Sequence, residues 1–221
     1  MLLGAIVASL PALATEPPSR YDLGRDFSFD ANPAGPWHFG FSATTSLAPD
    51  QFKPFRVPDP RRPIGFWHPA AVDNDGDGYY PYVAWNAATR SQADPTRSWA
   101  LGPGEAALEA SRDGQYAIVR FVVPQAGRHR VQARFTGIHF RVSSTDVHVL
   151  VNAIPVFDAF VDGYGGDRTF HPIQGRQPRA VFSRALELDA GDVVSFAVGY
   201  GRNRTHYNDT TALRVRITKL R

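Results

Sequence analysis

The chain has 221 residues, 43% of them hydrophobic and 20% charged, with no cysteine and a formal net charge of +3. This composition suits one globular all-β domain and excludes a disulfide framework or a thiolate site. The charge excess, carried almost wholly by arginine, is too small and too scattered for nucleic acid, which needs a concentrated basic stripe, so the arginines are expected on solvated strand faces.

Residues 1–15 read as a signal peptide: Met1 to Ala14 is apolar and ends in Ala12-Leu13-Ala14, the small-x-small pattern that a signal peptidase cuts after. The run falls short of the roughly 20 apolar residues of a spanning helix, so no membrane span is expected. No Lys or Arg precedes it, so either the true start lies upstream or this is a buried stretch of similar composition. The expectation is a secreted or periplasmic product. Residues 16–20, with Pro17-Pro18, read as a linker, and residues 21–221 as a single domain.

Asp26-Phe-Ser-Phe29 is a candidate first strand, and the turn-rich stretch to Pro36 closes it. Trp37, Phe39 and Phe41 then alternate with polar or small residues, which places three rings on one strand face as core. Residues 47–97 form a long irregular excursion, with prolines at 49, 54, 58, 60, 63, 69, 81 and 95. Only Ile64-Gly-Phe-Trp67 and Tyr82-Val-Ala-Trp85 look able to pair. Long loops on a rigid β scaffold are where binding residues concentrate.

Within the excursion, Asp73-Asn-Asp-Gly-Asp-Gly78 is the sharpest local signal. Asp73, Asp75 and Asp77 are carboxylates at alternate positions before a glycine, an arrangement that can fold around Ca²⁺, which takes several hard oxygens. The twelfth position of an EF-hand loop would be Ala84 instead of a glutamate, so a full EF-hand is rejected and a shorter calcium loop stays open beside a plain acidic turn. Trp67, Tyr79, Tyr80 and Tyr82 flank this loop. Rings stack on the C–H faces of sugars while carboxylates or a metal take the hydroxyls, so these four are the candidate ligand-binding residues.

Strand patterns return after Trp99: Glu105 to Ala110, Gln115 to Val123, and Arg128 to Phe135 with Val131, Ala133 and Phe135 inward. Ser144 to Val161 reads as a hairpin about Asn152-Ala153, a weak turn pair without the stronger Asn-Gly. Ala180 to Leu188, Val193 to Tyr200 and Thr211 to Thr218 complete the set. Many short strands with turn signals between them predict an all-β fold, an antiparallel two-sheet β-sandwich of jelly-roll type.

The order Tyr116-Ala-Ile-Val-Arg-Phe, Pro124-Gln-Ala-Gly, Phe135-Thr-Gly-Ile, Thr145-Asp-Val-His-Val-Leu-Val-Asn, Leu188-Asp-Ala-Gly-Asp, Phe196-Ala-Val-Gly-Tyr-Gly and Asn208-Asp-Thr-Thr resembles a jelly-roll domain of secreted bacterial proteins. That family is similar to carbohydrate-binding modules and occurs in PEP-CTERM-sorted proteins. This chain departs from the tailed members, because no apolar sorting tail follows Ile217 to Arg221. The resemblance implies a fold and a secreted product, and it carries no catalytic residues onto these positions.

The seven histidines show no metal-ligand spacing, although a zinc site could assemble across strands. His148 and Asp146 share a strand face. No Gly-x-Ser-x-Gly elbow is present. Glu105 and Glu109 are the only close glutamates, and their even spacing puts them on one strand face. Tyr200, Asn208 and Asp209 either cap the last turn or line a second ligand surface. The leading expectation is a secreted, non-catalytic module that binds an extracellular polysaccharide or glycan with help from Ca²⁺. One rival is a structural or adhesive cell-surface protein forming a homo-oligomer. Another is a glycoside hydrolase or polysaccharide lyase using Glu105 and Glu109.

Overall fold

A computed structural model describes residues 19–69, 81–142 and 144–221; the expected signal peptide and most of the linker fall outside them. The strands in chain order are β1 Arg20–Asp22, β2 Trp37–Ser42, β3 Phe52–Pro54, β4 Val57–Asp59, β5 Ile64–His68, β6 Tyr82–Asn86, β7 Gln92–Ala93 and β8 Ala100–Leu101. They continue as β9 Ala106–Glu109, β10 Ala117–Val122, β11 Gly127–Gly137, β12 Ser144–Val151, β13 Ile154–Asp162, β14 Arg179–Leu188, β15 Val193–Val198 and β16 Thr211–Lys219. No described helix is long and apolar enough to cross a membrane.

Two antiparallel sheets face each other. The eight-stranded sheet runs β14-β11-β16-β9-β6-β5-β4 with β1 paired to β16, and the six-stranded sheet runs β13-β12-β15-β10-β2-β3. From β9 onward the chain changes sheet at every connection except the β12–β13 hairpin. That alternation makes the fold a jelly-roll sandwich, as expected.

Period two decides what lies between the sheets. Val131, Ala133 and Phe135 of β11, Val215 and Ile217 of β16, Trp37 and Phe39 of β2, Phe121 of β10 and Phe196 of β15 are all at most 3% exposed and join one core. The rings read as core at 37 and 39 are therefore core, and Phe41 packs at the margin.

Three local expectations change. Asp26–Phe29 is not a strand: a single helical turn, α1 Leu23–Asp26, forms there because the Asp22 carboxylate accepts from Gly24 N at 3.1 Å and satisfies a free turn N–H. Arg20, assigned to the linker, already sits in the sheet opposite Thr218. The excursion at 47–97 is also far more regular than its prolines suggest, since β3 to β7 lie inside it and β5 and β6 are interior strands. Proline is tolerated where no ladder hydrogen bond is required. Pro58 lies in the edge strand β4, Pro54 ends the edge strand β3, and Pro63 and Pro81 stand immediately before β5 and β6.

The β12–β13 hairpin turns on Asn152 and Ala153, both left-handed with φ of 48° and 67°. This is the primed two-residue turn that matches strand twist. The Asn152 side chain fastens it to β15, donating to Asp192 Oδ1 at 2.8 Å and accepting from Val193 N at 2.9 Å.

Candidate functional site

The outward residues of the eight-stranded sheet build a second apolar cluster. Ile64, Ala84, Ala107 and Ala212 come together with Trp99, Leu101 and Ile138, and Phe66 and Tyr82 pack against them. The short β7–β8 ribbon contributes to this cluster and is pinned by Asn86, which donates to Leu101 O at 2.8 Å and to Arg90 O at 2.9 Å. Asp94 shapes the turn between β7 and β8. Its Oδ1 accepts from Ser98 N at 2.6 Å and Trp99 N at 2.9 Å, and its Oδ2 from Thr96 N at 2.9 Å. A side chain mimicking a backbone turn in this way fixes Trp99 against the sheet.

Between this turn and residues 206–210 opens a cleft of about 640 Å³, within the range of small-ligand sites. Phe66, Tyr82, Trp99, His139, His206 and Tyr207 supply rings, and Thr96, Ser98, Glu109, Asn208 and Thr210 supply polar groups. Tyr207 is the open ring, 56% exposed. Tyr82 Oη donates to Glu109 Oε2 at 2.6 Å, and the Thr210 hydroxyl donates to the same oxygen.

Burial sets the electrostatics here. Desolvation lifts the Glu109 carboxyl above its ordinary range, although the Thr210 and Tyr82 hydrogen bonds pull the other way. Burial also pushes the Tyr82 phenol well up, reinforced by the charge on Glu109. Desolvation pushes His139 down to about 4, so its imidazole is neutral in neutral solution. Adjoining the cleft, Asp209 has no exposed surface, and burial pushes its carboxyl up to about 8. Its Oδ2 has no hydrogen-bond partner among the described residues. The cleft is thus rich in hydrogen-bonding groups, with Arg61 and Asp94 as charged groups in its lining.

The candidate residues divide. Tyr82 lines the cleft. Trp67 does not, because it is the next residue after Phe66 on β5 and points the other way: it is 4% exposed, packs in the inner core and donates from Nε1 to Ser28 O at 2.9 Å. Phe66 occupies the outward position that a sugar platform would need. Tyr79, Tyr80, Asp73, Asp75 and Asp77 lie outside the described residues, on the segment joining β5 to β6. Among the described residues no group of three or more His, Asp or Glu is placed to hold a metal ion.

Glu105 and Glu109 do share a face but not a purpose. Glu105 Oε1 pairs with Arg214 Nε at 2.5 Å and Arg134 Nη2 at 3.5 Å, whereas Glu109 is held by Tyr82 and Thr210. Four residues of extended chain set their Cα atoms about 13 Å apart, and each carboxylate is tied to its own partners instead of facing the other across a gap of roughly 5–9.5 Å as in glycoside hydrolases. Asp146 and His148 also meet on one face: His148 Nε2 lies 2.7 Å from Asp146 Oδ2, and its Nδ1 lies 2.5 Å from Asp158 Oδ1 across the hairpin. Burial alone would lower His148, but the hydrogen bonds to the two carboxylates win and raise it, and the three side chains form a hydrogen-bonded clasp on the hairpin. Of the last loop, Asn208 lines the cleft while Asp209 caps, its carbonyl accepting from the Thr145 and Thr211 hydroxyls at 3.4 and 3.0 Å.

Among solved structures the chain is similar to a family 35 carbohydrate-binding module from Clostridium thermocellum, at 12% identity over 52% of this chain and 78% of that one, with a TM-score of 0.32. It is similar to the C-terminal CBM6 of LamC from Zobellia galactanivorans at 12% identity, covering 59% and 87%, TM-score 0.30. It is likewise similar to rabbit GITRL at 11% identity, covering 61% and 80%, TM-score 0.26. No protein-family model and no curated protein matches the chain.

Proposed function

We propose that the chain is a secreted, non-catalytic module that binds a neutral glycan in the cleft lined by Phe66, Tyr82, Trp99 and Tyr207. The observation that carries this reading is the pairing of an exposed ring, Tyr207, with hydroxyl, amide and carboxyl groups in a cleft of about 640 Å³. A sugar offers an apolar face to such a ring and hydroxyls to such groups. The Glu109 carboxyl, the Asn208 amide and the Thr96, Ser98 and Thr210 hydroxyls supply the hydrogen-bonding groups that sugar hydroxyls need. Calcium on Asp73, Asp75 and Asp77 belongs to the same proposal, because the segment carrying them leaves β5 and enters β6 beside Phe66 and Tyr82.

Pull-down on a panel of neutral insoluble polysaccharides, with and without chelator, tests it. Retention by one polymer and a loss of about tenfold in Tyr207→Ala are expected, since a stacked ring is worth roughly 1–3 kcal/mol. Retention by none would sink the reading. For the metal, added calcium should raise the melting temperature by mass action, and this rise should vanish in Asp75→Asn; no shift at saturating calcium retires the metal and leaves the cleft standing.

A further inference from the structure

The arginines that look scattered along the sequence are gathered by strand register. On the outer face of the eight-stranded sheet, β11 projects Arg128, Arg130 and Arg134, and β16 projects Arg214 and Arg216, because their neighbours Val131, Ala133, Val215 and Ile217 point into the core. Arg134 lies directly opposite Arg214 in the ladder. Like charges so placed are destabilising, so stability does not explain the arrangement. The counter-charge is incomplete. Glu105 alone bridges Arg134 and Arg214, Asp22 takes Arg216 at 2.8 Å, Glu187 lies 3.7 Å from Arg128, and Arg130 has no carboxylate within ion-pair distance among the described residues, so three carboxylates face five guanidiniums. Arg134 and Arg214 keep 45% of their side chains exposed. A shallow groove of about 270 Å³ runs between them, with Gln132 and Ser183 in its lining.

We propose that this face binds a polysaccharide carrying carboxylates, a linear uronate polymer. The fork of a guanidinium matches a planar carboxylate with two parallel hydrogen bonds, which lysine cannot offer. An amide and a hydroxyl between the arginines suit the sugar hydroxyls that accompany each carboxylate. Other polyanions fit less well. The described residues of this face include no outward ring on which bases would stack. Strands β14, β11, β16 and β1 at about 4.8 Å spacing span some 14 Å, wider than the roughly 12 Å major groove of duplex DNA. Val181 is the one large apolar side chain exposed on the face among the described residues, too little for the apolar anchors of a protein interface.

The proposal is independent of the cleft. Affinity electrophoresis of the whole chain in gels containing polygalacturonate tests it, with the fully methyl-esterified polymer, dextran sulfate and duplex DNA as parallel arms. Retardation by polygalacturonate is expected, weakening as salt shortens the screening length and absent with the esterified polymer. Arg130→Ser and Arg216→Ser should each weaken it about threefold, in the range of exposed charge pairs, with unchanged melting. Arg130 has no ion-pair partner to lose, so its variant carries the test should Arg216→Ser fold poorly. Tyr207→Ala should leave the retardation intact. Equal retardation by the esterified polymer, stronger retardation by dextran sulfate or DNA, no effect of Arg130→Ser, or loss in Tyr207→Ala would each overturn it.

Discussion

The two apolar clusters of this molecule are made by the same strands and behave as different materials. Between the sheets, Trp37, Phe39, Phe121 and Phe196 pack with Val131, Phe135 and Ile217 and leave almost no polar atom to satisfy. On the outer face, Phe66, Tyr82 and Trp99 surround Glu109 and His139, with Asp209 close by, and one side of the cluster opens into the cleft. Successive side chains of a regular strand point to opposite faces. β5, β6, β9 and β16 therefore give one set of side chains to the inner core and the other to the outer cluster and its cleft.

The largest effect should come from contrasting the two clusters directly. Phe121→Ala empties a fully buried position between the sheets and should lower unfolding free energy by about 3–5 kcal/mol, the usual range for a buried ring. Trp99→Ala, at the cleft wall, should lower it by about half as much, because that cavity meets solvent and its surroundings can adjust. Urea unfolding of both variants reads the difference. Equal losses would mean that the two clusters are one core.

The second test exploits the buried acid beside the cleft. Asp209 titrates at about 8 when folded against an ordinary 3.8, so the native state holds a proton that the unfolded chain has released. With more protons bound in the native state, unfolding free energy falls as pH rises. The stabilisation is complete below about 3.8 and is lost progressively up to about 8. At no more than about 1.4 kcal/mol per pH unit, the decline between pH 5 and 7 reaches about 2–3 kcal/mol. Asp209→Asn should flatten this part of the profile. A wild-type profile already flat over that interval would show that the carboxylate is solvated and the outer face as wet as any surface.

Most of the sandwich was legible from alternation alone, as at Val131, Ala133 and Phe135, where polar neighbours mark the outward face. The excursion was not, because Pro58 and Pro63 read as breakers until the sheet reveals that one sits on an edge and the other just outside a strand. Alternation also says that Phe66 and Trp67 face opposite ways without saying which way is in, so the sequence alone points to the larger ring as the platform. The signal for Trp99 was present in Asp94-Pro-Thr-Arg-Ser98, an acid followed by hydroxyl residues at a turn. No such local signal exists for the arginine face. It depends on β11 and β16 being neighbours, a pairing between residues about 80 positions apart that only the tertiary register supplies.

The smallest predicted effect separates scaffold from site most cleanly. Ala153 holds a φ of 67° at the tip of the β12–β13 hairpin, a left-handed conformation that disfavours an L-residue by roughly 1–2 kcal/mol and that glycine adopts freely. Glycine also loses more conformational freedom on folding, so the net gain from Ala153→Gly should be about 1 kcal/mol. For a chain of this size that corresponds to a rise of about 2–4 °C in melting temperature. The turn belongs to the six-stranded sheet and contributes nothing to the cleft or to the arginine face. Calorimetry should record the rise with binding at both surfaces unchanged. Altered binding would mean that the hairpin is coupled to a site instead of merely holding the sheet that supports it.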